Sequence, residues 1–186
     1  MKKIIAVMLL VFLLCGCQKM EKDIEPATQL RQRLQSAQGC TFDAEITADY
    51  GDSVYTFTML CRTDKEGNMT FTVSEPDSIS GITGMVRAER GEIIFDDQVL
   101  AFNTLADGYI TPVVSPWVMT HGLIGGYIRS CGKDGENQRI TLNDSYADDA
   151  LEMDVWLDAD GNPIRCEILY RERRCLTIKV KNFTCL

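Results

Sequence analysis

From Cys40 onward apolar residues fall at nearly every second position, and that period of two constrains the fold more than anything else in the chain. Phe42, Ala44, Ile46 and Ala48 alternate with polar residues, as do Tyr55, Phe57 and Met59 beyond Tyr50-Gly51. Strand side chains point alternately to the two faces of a sheet, so these runs predict half-buried antiparallel strands. A two-residue turn at Tyr50-Gly51 sets Phe42 against Met59, Ala44 against Phe57 and Ile46 against Tyr55, at the cost of facing Asp49 with Asp52. In the same register Cys40 lies opposite Cys61, and a Cys40–Cys61 disulfide is expected to close the hairpin base.

A second hairpin follows the same logic. Leu151, Met153, Val155 and Leu157 lead into the Asp158-Ala-Asp-Gly-Asn-Pro163 loop, and Ile164, Cys166, Ile168 and Tyr170 return. Pairing Leu157 with Ile164 places Val155 opposite Cys166 and Leu151 opposite Tyr170. Leu176, Ile178 and Val180 of the next strand share that face, which puts Cys175 on the other one and disfavours a Cys166–Cys175 bridge. Shorter strands are expected near Met69–Val73, Gly84–Ala88, Glu92–Phe95, Val99–Phe102 and Arg139–Leu142, with turns at Lys65-Glu-Gly67, Arg90-Gly91 and Asp96-Asp97.

Two segments have a different period. Thr28 to Gln38 reads as a helix with Leu30, Leu34 and Ala37 on one side, Thr28 as a cap and Gly39 as its stop. Ser115-Pro116-Trp117 has the form of a helix start, so one or two short apolar helices are expected between residues 116 and 130, broken by Gly122, Gly125 and Gly126.

The N-terminus is an address. Lys2 and Lys3 precede the apolar run Ile4 to Leu14, the charged and apolar regions of a secretory signal too short to span a bilayer comfortably. Leu14-Cys15-Gly16-Cys17 then resembles the pattern read by bacterial lipoprotein processing. That resemblance implies cleavage before Cys17, whose thiol carries a diacylglycerol and holds the chain on the extracytoplasmic face of a membrane. Residues 1–17 are read as signal, 18–27 as a polar tether reaching about 30 Å if extended, and 28–186 as one domain.

Charge and cysteines limit the function classes. Losing Lys2 and Lys3 takes the formal charge from −8 to −10. Such a domain has no basic patch with which to bind nucleic acid or lie flat on anionic lipid. Beyond Cys17 stand Cys40, Cys61, Cys131, Cys166, Cys175 and Cys185, an even number that in an exported chain favours disulfides. With Cys40 and Cys61 paired, the connectivity of the other four stays open. Zinc is disfavoured by the lack of any Cys-x-x-Cys and by a single histidine, His121.

Catalytic patterns do not assemble. There is no Gly-x-Ser-x-Gly elbow, and a Ser/His/Asp triad would have to use His121, inside the apolar insert. Asp158-Ala-Asp160-Gly161-Asn162 superficially resembles the start of a calcium loop, yet it joins two strands and reads as a turn. Asp144, Asp148, Asp149, Glu152 and Asp154 could supply paired carboxylates, but their spacing follows a loop and the polar face of a strand. No glycine loop implies a nucleotide, and no cofactor or metal is expected. The suggestive set is apolar: Trp117, Val118, Met119, Leu123, Ile124, Tyr127 and Ile128, which could plug a core, line a lipid cavity or present a partner surface. Trp156, on the polar face of its strand, is a further hint of contact.

These elements suggest an α+β domain: an antiparallel meander forming an incomplete barrel, with an N-terminal helix and a short apolar helical insert. The chain resembles the lipoprotein-carrier (LolA/LolB) fold over most of residues 27–184. The resemblance is carried by the helix ending near Gly39, Phe42-x-Ala-x-Ile, Phe71-Thr-Val-x-x-Pro76 and Gly91-Glu-Ile-Ile-Phe. Ser115-Pro116 and the Asp-Gly-Asn-Pro turn before Cys-Glu-Ile complete it. It is also similar to the germination lipoproteins of spore-forming bacteria, which implies a non-enzymatic role in holding an envelope protein such as a cell-wall hydrolase. The alternative implied is a carrier or acceptor of lipid or another apolar ligand. The many cysteines and the fixed anchor depart from the soluble carriers, which must shuttle.

Overall fold

The computed structural model describes residues 17–87, 90–95, 98–103, 105–106, 109–147 and 150–186. Residues 1–16 of the expected signal, the Asp96-Asp97 turn and the candidate carboxylates Asp148 and Asp149 lie outside them. Among the described residues, no helix is long and apolar enough to cross a membrane.

Helix α1 (Cys17–Ser36) leads into strands β1 (Cys40–Asp49), β2 (Val54–Thr63), β3 (Met69–Glu75), β4 (Thr83–Arg87), β5 (Arg90–Phe95) and β6 (Gln98–Asn103). The two-residue strands β7 (Leu105–Ala106) and β8 (Tyr109–Ile110) pair with each other, and a 3-10 turn (Pro112–Val114) opens into helix α2 (Ser115–Gly125). Strands β9 (Tyr127–Asp134), β10 (Asn137–Asn143), β11 (Glu152–Leu157), β12 (Pro163–Tyr170) and β13 (Arg173–Cys185) follow. Eleven strands form one sheet in the order β6-β5-β4-β3-β2-β1-β13-β12-β11-β10-β9. The sheet is open, with β6 and β9 as its edges, and every pairing is antiparallel.

The alternation predicts which face is buried. Cys40, Phe42, Ala44, Ile46 and Ala48 of β1 point into the core, joined by Met59, Met69, Phe71, Val155, Cys166 and Ile178 from neighbouring strands. Leu30 and Leu34 of α1 and Met119 and Leu123 of α2 complete the same cluster. The opposite face is polar and laced with ion pairs, including Lys179–Glu45 at 2.6 Å and Arg139–Asp154 at 3.2 Å.

The second hairpin keeps its expected register away from the loop, where Val155 faces Cys166 and Met153 faces Ile168, and Cys166 faces Ile178 across β13. At the loop the pairing slips between Trp156 and Leu157, so Leu157 meets Pro163 rather than Ile164. Cys175 is buried as well, because pairing slips between Ile168 and Leu169 and leaves its thiol on the Ile168 carbonyl. The first hairpin differs by two residues. Phe42 faces Cys61, Ala44 faces Met59 and Ile46 faces Phe57. Asp49 pairs with Val54 rather than facing Asp52, across a loop closed by the Tyr50 amide on the Ser53 carbonyl. Cys40 and Cys61 are therefore not opposite each other, and among the described residues no disulfide joins them or any other cysteines. Arg90 and Gly91 open β5 instead of forming the turn before it.

Helix α1 also departs from expectation. It begins at Cys17, carries Pro26 in its interior and includes the segment read as a tether. Thr28 lies inside it, bonding back to the Ile24 carbonyl rather than capping. Ten helical residues advance about 15 Å, half the reach of an extended tether. At the other end, Gly39 (φ +138°) is required because a Cβ there would sit 2.0 Å from the Thr63 carbonyl oxygen.

Candidate functional site

Helix α2 draws its position from the residues around it. Ser115, Pro116, Trp117, Val118, Met119, Thr120, Gly122 and Leu123 are all buried, so the helix is enclosed on most sides rather than amphipathic. Gly122 allows this depth, since a Cβ there would meet Met153 Cε at 2.2 Å. Thr120 satisfies its buried hydroxyl on the Pro116 and Trp117 carbonyls. The Trp117 indole N–H donates to the Gly67 carbonyl at 2.9 Å, tying α2 to the turn between β2 and β3, and the indole stacks on His121 at 4.8 Å between ring centres.

The far end of α2 is held by α1. Arg31 donates through Nε to the Leu123 carbonyl at 2.9 Å and through Nη2 to the Gly126 carbonyl at 2.7 Å, and Gln35 donates to the Ile124 carbonyl. Helix C-termini leave carbonyls without intrahelical partners, and a cation there also meets the favourable end of the dipole. Burial lowers the Arg31 pKa.

The seven expected apolar residues thus divide. Trp117, Val118, Met119 and Leu123 are core, with Met119 wholly enclosed, and Ile124 is half-buried beside them. Tyr127 and Ile128 are not helical: α2 stops at Gly125, and both belong to β9, where Tyr127 is exposed and its ring meets Tyr146. The signal for β9 was weak because its side chains show no alternation of burial.

The remaining polar candidates have local duties. Asp144 accepts the Leu151 amide across the β10–β11 loop. Asp154 binds the Thr141 hydroxyl at 2.6 Å and Arg139, and Glu152 pairs with Arg129. Asp158 Oδ1 accepts the amides of Asp160 and Asn162, which makes the Asp-Gly-Asn segment a self-bonded turn. Arg33 reaches this turn from α1, donating to the Asp160 and Gly161 carbonyls and to Asn162 Oδ1. Trp156 lies on the polar face beneath Arg139 and Arg165, its N–H on Asp134 at 2.8 Å.

A cavity of about 310 Å³ opens between α1, the β9–β10 turn and the β11–β12 loop, where Leu30, Arg33, Lys133, Glu136, Asp158 and Asp160 contribute to its wall. Its lining mixes both signs of charge with apolar groups such as Leu30 and Leu157 in about equal measure. Acyl-chain sites are lined predominantly by apolar side chains.

No family model matches the chain, and no curated protein matches it. Among solved structures, a DUF1329 family protein from Desulfovibrio piger superposes with a TM-score of 0.52 at 9% identity, covering 89% of this chain and 92% of that one. Looser likenesses include a putative outer membrane lipoprotein-sorting protein domain from Vibrio parahaemolyticus (TM-score 0.49, 12% identity, 89% and 93% covered). Another is the lipoprotein LppX from Mycobacterium tuberculosis (0.44, 12%, 90% and 96%). The chain shares the overall fold of the Desulfovibrio piger protein.

Proposed function

We propose that this chain is a lipid-anchored, non-enzymatic envelope lipoprotein with a LolA-like domain, and that it acts by binding and stabilising a protein partner at the membrane surface. The observation that carries this reading is the burial of α2. The apolar side chains that could have lined a ligand cavity, Trp117, Val118, Met119 and Leu123, are spent on the domain's own core. Recognition then falls to the exterior, where Tyr127 and Tyr146 form an exposed aromatic pair beside edge strand β9. Anchoring through Cys17 and a helical, shorter connection to the domain keep that exterior close to the bilayer. A cell-wall hydrolase is the class of partner to which the sequence resemblance points.

Affinity purification of the full chain from its native membrane, followed by native mass spectrometry, tests the proposal. A stoichiometric protein partner is the expected result, lost to the soluble fraction in Cys17→Ala, where no lipid can be attached. A monomer that carries acyl chains in place of a partner overturns this reading in favour of a carrier.

A further inference from the structure

Cys40 opens β1, Cys185 ends β13, and the two are direct cross-strand partners. The Leu186 amide donates to the Gly39 carbonyl at 2.9 Å, whereas the Cys40 amide turns away from β13 to Thr63 Oγ1 at 2.8 Å. Hydrogen bonds beside a pair but not within it mark the non-hydrogen-bonded kind of antiparallel pair, whose Cα atoms lie about 4.5 Å apart. A disulfide spans roughly 4.4–6.8 Å between Cα atoms. Both side chains are on the core side, Cys40 fully buried and Cys185 packed half-buried against the cluster. Cys61 is the competitor, but its partner is Phe42. That makes Cys61 diagonal to Cys40, about 7–8 Å away, beyond a bridge without backbone movement.

We propose that Cys40 and Cys185 form a disulfide that ties β1 to β13 in the exported protein. The proposal rests on the envelope reading above, because only an oxidising compartment sustains such a bond. The co-reactant is a small-molecule or protein disulfide. The Cys185 thiolate attacks one sulfur of that disulfide, forming a mixed disulfide and expelling one thiolate. The Cys40 thiolate then attacks Cys185 Sγ, forming the internal bond and expelling the second. Two protein thiols are oxidised, the oxidant is reduced to two thiols, and the two protein protons end on the expelled sulfurs. Access fixes the order of attack. Cys185 lies on an open groove of about 520 Å³ beside Ser36, Phe183 and Leu186, while Cys40 is shut inside the sheet. Burial also pushes the Cys40 thiol up to about 11, a poor starting nucleophile.

The test uses the full chain isolated from its native membrane, with thiols blocked by N-ethylmaleimide in denaturant at lysis, then digested with trypsin without reduction. Cleavage after Arg33, Arg62 and Lys181 should give residues 34–62 linked to residues 182–186, with the maleimide on Cys61. The linked species should persist in Cys61→Ala and vanish in Cys40→Ala. Reduction should lower the melting temperature of the wild-type chain by on the order of 10 °C, since the bridge closes most of the domain into one loop, and leave that of Cys185→Ala unmoved. Finding Cys185 blocked by maleimide, or joined to any cysteine other than Cys40, overturns the proposal. A second arm oxidises the reduced, purified chain with glutathione disulfide. A bridge there but not in the membrane sample places the error in the compartment. Its absence from both places the error in the pairing.

Discussion

Arg31 reaches from the first helix to the end of the second, its Nε 2.9 Å from the Leu123 carbonyl and its Nη2 on the carbonyl of Gly126. One side chain therefore closes two orphan acceptors and fixes α1 against α2. Charge-assisted bonds of this kind contribute about 1.5–3 kcal/mol each when buried, and less where solvent screens them. Arg31→Met should cost about 2 kcal/mol, a fall of roughly 4–8 °C in melting temperature. Arg31→Lys should recover only part of that, because an ammonium lacks the planar fork that serves both carbonyls. Urea unfolding of the three proteins checks the order, and equal midpoints for Arg31→Met and wild type would sink the latch.

Gly122 and Met153 make a second, independent test of how deeply α2 is set. A Cβ at Gly122 would lie 2.2 Å from Met153 Cε, and Met153 is fully enclosed. Overpacking of this sort costs about 1–3 kcal/mol. Gly122→Ala should be destabilised by that amount, and adding Met153→Val, which removes the clashing end, should return part of the loss. A double-mutant cycle reads the coupling directly. Additive effects would mean that the two residues do not touch.

The two hairpins show what alternation can and cannot reveal. It gives the buried face of β1, β11 and β12, of β2 from Phe57 and of β13 from Leu176 correctly, because a one-residue error would turn every apolar side chain outward. A two-residue error leaves all faces unchanged, so the pattern could not separate Cys40 opposite Cys61 from the observed Phe42 opposite Cys61. The discriminating signal was local: the observed loop keeps Asp49 from facing Asp52, and the Gly51 amide bonds to Asp49 Oδ1. Strand β9 escaped because its side chains are mixed in exposure along both faces, and edge position explains why. The apolar set around Trp117 was legible as a set. Its division between core and surface was not, because enclosure of α2 depends on Arg31, Met153 and Gly67, all distant in sequence.

Trp117 separates a core role from a binding role. Its N–H bond to the Gly67 carbonyl is lost in Trp117→Phe, which should cost about 1 kcal/mol. Trp117→Ala should cost roughly 3–5 kcal/mol as a cavity opens beneath the turn. Partner recovery from membranes should be unchanged in Trp117→Phe and reduced in Tyr127→Ala, whose ring is exposed at the edge of the sheet. The opposite pattern would return α2 to the binding surface.

Buried thiols give the last prediction its pH dependence. Burial pushes the Cys61 and Cys166 thiols well above the ordinary thiol range. In the unfolded chain the same groups ionise near about 8.5. A raised native value means that the fold favours the neutral thiol, so this contribution is complete below about 8.5 and is lost as pH rises above it. The urea midpoint of the reduced protein should be flat from about pH 7 to 8 and fall steadily above that. Over the same range native Cys61 and Cys166 should resist N-ethylmaleimide and react at once in denaturant, since the thiolate is the reactive form. Rapid labelling of either residue in the folded protein at pH 8, read by peptide mass, would show that these positions are not enclosed.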